Sequence, residues 1–140
     1  MKKVLIDTNI MIDLLAKREE FYLDSKQIFS LADNNKIQLV ISALSLANTH
    51  YLLNDVLKLK DARSIISKFK VLVQTYALTD KIVELALHNL SFKDFEDGIQ
   101  YHTAIESKCK GIITRNTKDY KNSSIPVLQP KEYLIRINNR

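Results

Sequence analysis

The chain predicts an α/β fold, a three-layer α/β/α sandwich whose parallel sheet of about five strands carries helices on both faces. Three observations lead there. Short apolar runs alternate with amphipathic stretches along all 140 residues, and strands separated by helices imply parallel pairing. Gly and Pro occur twice each, against roughly ten and seven at average usage. That is too few for the tight turns of a barrel or sandwich. Residues 1–140 are 46% hydrophobic and 26% charged, the balance of one soluble domain with a real core.

The elements follow in order. Val4-Leu5-Ile6 is an apolar run stopping at Asp7 and reads as a buried strand. Ile10 to Ala16 reads as a short helix, and Leu23 to Ala32 as an amphipathic one. Ile37 to Ile41 is the second strand. Ser42 or Ser45 can cap a helix over Leu46 to Val56. Ala62 to Phe69 is helical, and Val71-Leu72-Val73 is the third strand. Thr79 or Asp80 opens a helix to His88, and Asp94 to Lys108 is a helix stopped at Gly111. Ile112-Ile113-Thr114 is the fourth strand. Pro126-Val127-Leu128 is a fifth at a sheet edge, where Pro costs no ladder bond. Pro130 occupies the first turn of a last helix through Ile137.

Composition excludes several function classes. The lone Cys109 rules out an internal disulfide framework and a cysteine-cluster zinc site. The apolar run after Lys2-Lys3 is too short for a signal segment, and nothing approaches the roughly 20 apolar residues of a membrane span. The expectation is a soluble, cytoplasmic protein. With only Gly98 and Gly111 there is no Gly-rich phosphate loop, and His50, His88 and His102 lack zinc-site spacing. The net charge of +5 is uneven: residues 107–140 hold eight Lys/Arg against Asp119 and Glu132. A lopsided basic surface suits a polyanion, although on charge alone a solvated face is the better account, since +5 is modest.

In parallel sheets the ligand crevice lies beyond the C-terminal strand ends. Asp7 follows the first strand, where it can serve a site or cap the next helix. Asp94 and Asp97 are three apart, on one face of a helix and about 60° apart around its axis. Capping is the simpler role for Asp94. Asp119 follows the fourth strand in Thr114-Arg115-Asn116-Thr117-Lys118-Asp119. Asp7, Asp97 and Asp119 thus map to one crevice. Clustered carboxylates repel unless a hard cation neutralises them, and oxygen-only ligation suits Mg²⁺ or Mn²⁺. Such an ion lowers the pKa of bound water and stabilises a phosphoryl transition state. Arg115 and Lys118 are the expected phosphate contacts, with Thr8, Asn9, Thr114 and Asn116 lining the strand ends.

The sequence resembles the PIN-domain superfamily, and within it small bacterial PIN proteins of the VapC toxin type. The segments that carry the resemblance are Val4-Leu5-Ile6-Asp7-Thr8-Asn9, Asp94-Phe95-Glu96-Asp97-Gly98-Ile99-Gln100, Ile112 to Tyr120 and Ile125 to Leu134. The resemblance implies a metal-dependent endoribonuclease using Mg²⁺ or Mn²⁺. It implies RNA as substrate, an antitoxin as partner and a homodimer. Asp7, Asp97 and Asp119 match the family's acids, Asn116 being the alternative at the last position, with Asp94 an extra acid. One position departs: Asn48 stands where the family carries a Glu, and an amide can ligate but cannot act as a base. A binding module with lost activity is the alternative that this departure raises.

Overall fold

In the computed structural model, which describes residues 2–139, five strands form one parallel sheet. They are β1 (Lys3–Ile6), β2 (Gln38–Ser42), β3 (Val73–Tyr76), β4 (Gly111–Ile113) and β5 (Val127–Leu128), in the order β3-β2-β1-β4-β5. Met1 and Arg140, the latter counted in the basic C-terminal stretch, lie outside the described residues. The strand period of two sorts side chains onto two faces. Val4, Ile6, Leu39, Ile41 and Ile113 enter the larger core cluster, and Leu5, Val40 and Ile112 enter the other. Continuous apolar runs are therefore required at β1 and β2, which are buried on both faces.

The larger cluster is covered by α1 (Thr8–Leu15), α2 (Tyr22–Asp33), α4 (Ala62–Lys70) and α7 (Pro130–Asn138), through residues such as Ile12, Ile28, Ala62 and Tyr133. The opposite face is covered by α6 (Phe95–Glu106), through Tyr101 and Ala104, with Phe92 beside them. Against α6 lies α5 (Asp80–His88), where Ile82 and Ala86 meet Ile99. Between β2 and α4 runs α3 (Ala43–Tyr51), which passes into a π-helical turn, Leu52–Val56. The three-layer α/β/α expectation is met. No helix among the described residues is long and apolar enough to cross a membrane.

Caps fix the helix starts. Ser42 accepts from the Ser45 N–H at 3.0 Å and Thr79 from that of Ile82 at 3.2 Å. Pro130 sits in the first turn of α7, behind a capping box in which the Gln129 N–H donates to Glu132 at 3.0 Å. Three sequence expectations are corrected. The third strand is Val73–Tyr76, and Val71 is 82% exposed in the turn after α4. An edge strand pairs on one side only, so it tolerates the polar Gln74, which bonds Gln38 across the ladder at 2.8 Å. The helix expected through Val56 stops being α-helical at Tyr51. Gly111 does not end α6 but begins β4; Lys108, at φ 62°, takes the left-handed position that turns the chain.

Strand order reverses between β1 and β4: from β1 the chain builds outward through β2 and β3, and later returns to β1's other side. That reversal opens a crevice beyond the strand ends. The Asp7 N–H bonds the Ile113 carbonyl at 3.0 Å, so β1 and β4 release their chains side by side at its floor.

Candidate active site

A crevice of about 400 Å³ opens at this switch point. It is lined by Asp7, Asp97, Asp119, Asn48, Arg18 and Gln100, among others. Asp7 forms the floor of the crevice. Its Oδ1 accepts from the Thr8 N–H at 2.7 Å, capping α1. Its Oδ2 accepts from Thr114 Oγ1 at 2.9 Å and from the Tyr120 hydroxyl at 3.1 Å. Three donors thus fix one carboxylate. Burial pushes its pKa up, those hydrogen bonds pull it back, and Asp119 adds repulsion.

Asp97 projects from the first turn of α6. Its pKa is pushed up to about 7, first by burial and then by the charges of Asp94, Asp7, Asp119 and Glu96. Asp119 sits on a 3₁₀ turn, Thr117–Tyr120, and is exposed. Asp94 does not line the crevice: its Oδ1 accepts the N–H groups of Glu96 at 2.8 Å and Asp97 at 3.3 Å. Its role is the helix cap. Asn48, on α3, lines the crevice where the family's Glu position was expected.

The expected substrate contacts divide. Thr8, Asn9 and Asn116 line the crevice. Thr114 does not; it is fully buried, donating to Asp7 and accepting from Asn9 Nδ2 at 3.3 Å and the Asn116 N–H at 3.1 Å. It positions Asp7 and cannot meet a substrate. Arg115 is also corrected. Its Nε and Nη2 clamp the fully buried Asp13 at 2.6 and 3.2 Å, and its guanidinium lies 4.0 Å over the Phe21 ring. Burying a carboxylate demands a partner, and this one takes the guanidinium away from the crevice. Lys118 is exposed and lies outside the crevice lining.

Sequence reasoning missed four residues. Tyr120 holds Asp7 and packs edge-on to Phe92 at 6.2 Å. Arg18 and Glu96 line the crevice and carried no local signal. Gln100 donates through Nε2 to Ser45 Oγ, which also meets the Thr8 hydroxyl at 2.8 Å, while its Oε1 is buried without a partner. The spacing of Gln100 one turn beyond Glu96 and Asp97 was the available signal.

The donor set suits a hard divalent cation. Every crevice carboxylate and amide offers oxygen, no His or Cys lines it, and the Gln100 Oε1 is an orphaned acceptor in the lining. Among the described residues no three His, Cys, Asp or Glu side chains stand together closely enough to hold a metal ion. The carboxylates face one space from separate elements without converging on a point.

A family model described as PIN domain matches residues 3–118. The chain is similar to the curated protein "Ribonuclease VapC1" of Aquifex aeolicus (strain VF5), with 29% identity covering 98% of this chain and 96% of that protein. Among solved structures it is similar to a toxin-antitoxin complex from Klebsiella pneumoniae: TM-score 0.65, 26% identity, 91% of this chain and 97% of that one. A DNA-bound VapBC from Salmonella typhimurium shares the fold at TM-score 0.70 and 17% identity, covering 93% and 99%.

Proposed function

The chain belongs to the PIN-domain family, and we propose that it is a metal-dependent endoribonuclease, the toxin of a toxin-antitoxin pair, acting in the cytoplasm. The observation that carries this reading is the meeting of Asp7, Asp97 and Asp119 at the β1/β4 switch point. The likeness to a curated ribonuclease over nearly its whole length supports the reaction class. The toxin-antitoxin complex among the similar structures supports an antitoxin partner. A single domain over residues 1–140 is supported by α7, which lies beyond the matched segment and packs Tyr133 and Leu134 into the main core.

Asp7, Asp97 and Asp119 would hold Mg²⁺ or Mn²⁺. The ion supplies a water of lowered pKa and neutralises charge developing on the phosphate. The chain's own residues set the stage. Thr114, Tyr120 and the Thr8 amide point Asp7 into the crevice, so no reorganisation is needed there when substrate arrives. Asn48 contributes a neutral carbonyl oxygen and no proton acceptor. Proton removal therefore falls to a carboxylate of the crevice.

The test is cleavage of single-stranded RNA by the purified protein. Cleavage should appear with Mn²⁺ or Mg²⁺ and disappear with EDTA. RNA that stays intact at saturating Mn²⁺ overturns the nuclease reading.

A further inference from the structure

Arg18 is the one Lys or Arg among the described residues that lines the acidic crevice, and its placement is built. After α1 the chain reverses through Lys17, which adopts the left-handed φ of 50°. The Arg18 N–H then donates to the Asp13 carbonyl at 3.1 Å. The Arg18 carbonyl accepts from the Phe21 and Tyr22 N–H groups at 2.9 and 2.7 Å. Its backbone is therefore tied on both sides. A non-glycine residue in the left-handed region persists only where the surroundings hold it.

The charges beneath complete the device. Asp13 has no exposed side-chain surface and gives both oxygens to Arg115, at 2.6 and 3.2 Å. Arg18 Nη1 stands 3.7 Å from Asp13 Oδ1, beyond hydrogen-bond reach, and its side chain is 42% exposed. One carboxylate thus faces two guanidinium groups, and Arg115 takes its hydrogen bonds. Arg18 keeps its hydrogen-bond donors free in the lining of the crevice, with Asp13 only a longer-range counter-charge. Phe21, under the Arg115 guanidinium, closes the same loop.

We propose that Arg18 binds a substrate phosphate flanking the one that is cut, and that the buried Asp13–Arg115 pair is the strut that aims the loop carrying it. The proposal rests on the ribonuclease reading given above. A planar fork with free donors is the side chain suited to a phosphate's paired oxygens. The role expected of Arg115 in sequence passes to Arg18, because Arg115 is consumed as the strut.

The experiment measures two quantities with one 12-nucleotide single-stranded RNA. Fluorescence anisotropy in EDTA gives binding against salt, and cleavage in Mn²⁺ gives kcat and KM. Arg18→Gln should raise KM about tenfold, leave kcat within about threefold, and reduce the salt slope by about one. Arg18→Lys should restore the slope but only part of the KM loss, since it keeps charge and loses the fork. Lys68→Gln makes the same charge change on α4, away from the crevice, and should move neither. If Arg18→Gln leaves slope and KM at wild-type values while wild-type protein binds and cuts the RNA, Arg18 is only a counter-charge to the acids and the proposal falls alone. If wild-type protein neither binds nor cuts, the ribonuclease reading falls and takes the proposal with it.

Discussion

The two walls of the crevice are built differently. Asp7 emerges from a strand buried on both faces, and three donors from Thr8, Thr114 and Tyr120 fix its carboxylate. Asp119 stands exposed on a 3₁₀ turn, with only its backbone N–H engaged, to the Asn116 carbonyl at 3.0 Å. The sheet edge holds one carboxylate in a fixed place, and the short turn leaves the other in water. That division explains why the carboxylates share a crevice without standing together closely. Full convergence would leave unscreened repulsion in the folded protein, and the turn lets Asp119 stay in water.

Neutralising each wall in turn separates their contributions. Asp7→Asn keeps an acceptor for the Thr8 N–H, so the fold and the α1 cap survive. Losing the fixed anionic ligand should reduce cleavage about 1000-fold, the several kcal/mol that a metal's charge stabilisation supplies. Asp119→Asn should cost about tenfold, because an exposed turn can offer the amide oxygen instead. Equal losses in initial-rate assays of the two variants would contradict the division between a fixed and a solvated wall.

The supports of Asp7 come next. Thr114→Val and Tyr120→Phe each remove one donor while keeping shape. Each should lower activity about 10- to 100-fold, the range for groups that orient metal ligands, with metal affinity by calorimetry falling in parallel. Should rates stay within twofold of wild type, orientation of Asp7 is not what those bonds provide.

The smallest effect is one of stability and has the opposite sign. The Asp97 carboxyl sits near pKa 7 in the folded protein, against an ordinary value of 3.8. Between those values the folded chain holds a proton that the unfolded chain has released. Stability of the metal-free protein therefore falls as pH rises through that window. Asp97→Asn removes the penalty, so in EDTA its Tm should exceed wild type by about 3 °C at pH 8. The gain should shrink toward zero near pH 4, while nuclease activity is lost. A Tm difference independent of pH would place the destabilisation elsewhere.

Much of this was legible along the chain. Val4-Leu5-Ile6 and Ile112-Ile113 read as strands because central parallel strands must be apolar on both faces, and the structure buries all five residues. Asp7, Asp97 and Asp119 read as one site because strand and helix ends in this architecture converge. The signal weakened at the edge. β3 is partnered on one side, so its sequence need not be apolar, and the run at Val71 pointed two residues too early. Gly111 misled because a helix stop needs a left-handed residue, and Lys108 filled that place without being Gly.

What the sequence determined by itself is what depends on local period, capping chemistry and connection order: the α/β class, the strand and helix sequence, the sheet's edge at β5 and the acids at its ends. The tertiary structure decided which way the long side chains turn. Asp13 and Arg115 are 102 residues apart, and no periodicity couples them. Only packing α1 against the end of β4 buries that carboxylate and draws the nearest strong cation onto it. Arg115 is thereby taken from the crevice and Arg18 left to face it. Burial sets the cost of an unpaired charge, and burial exists only once the chain has closed on itself.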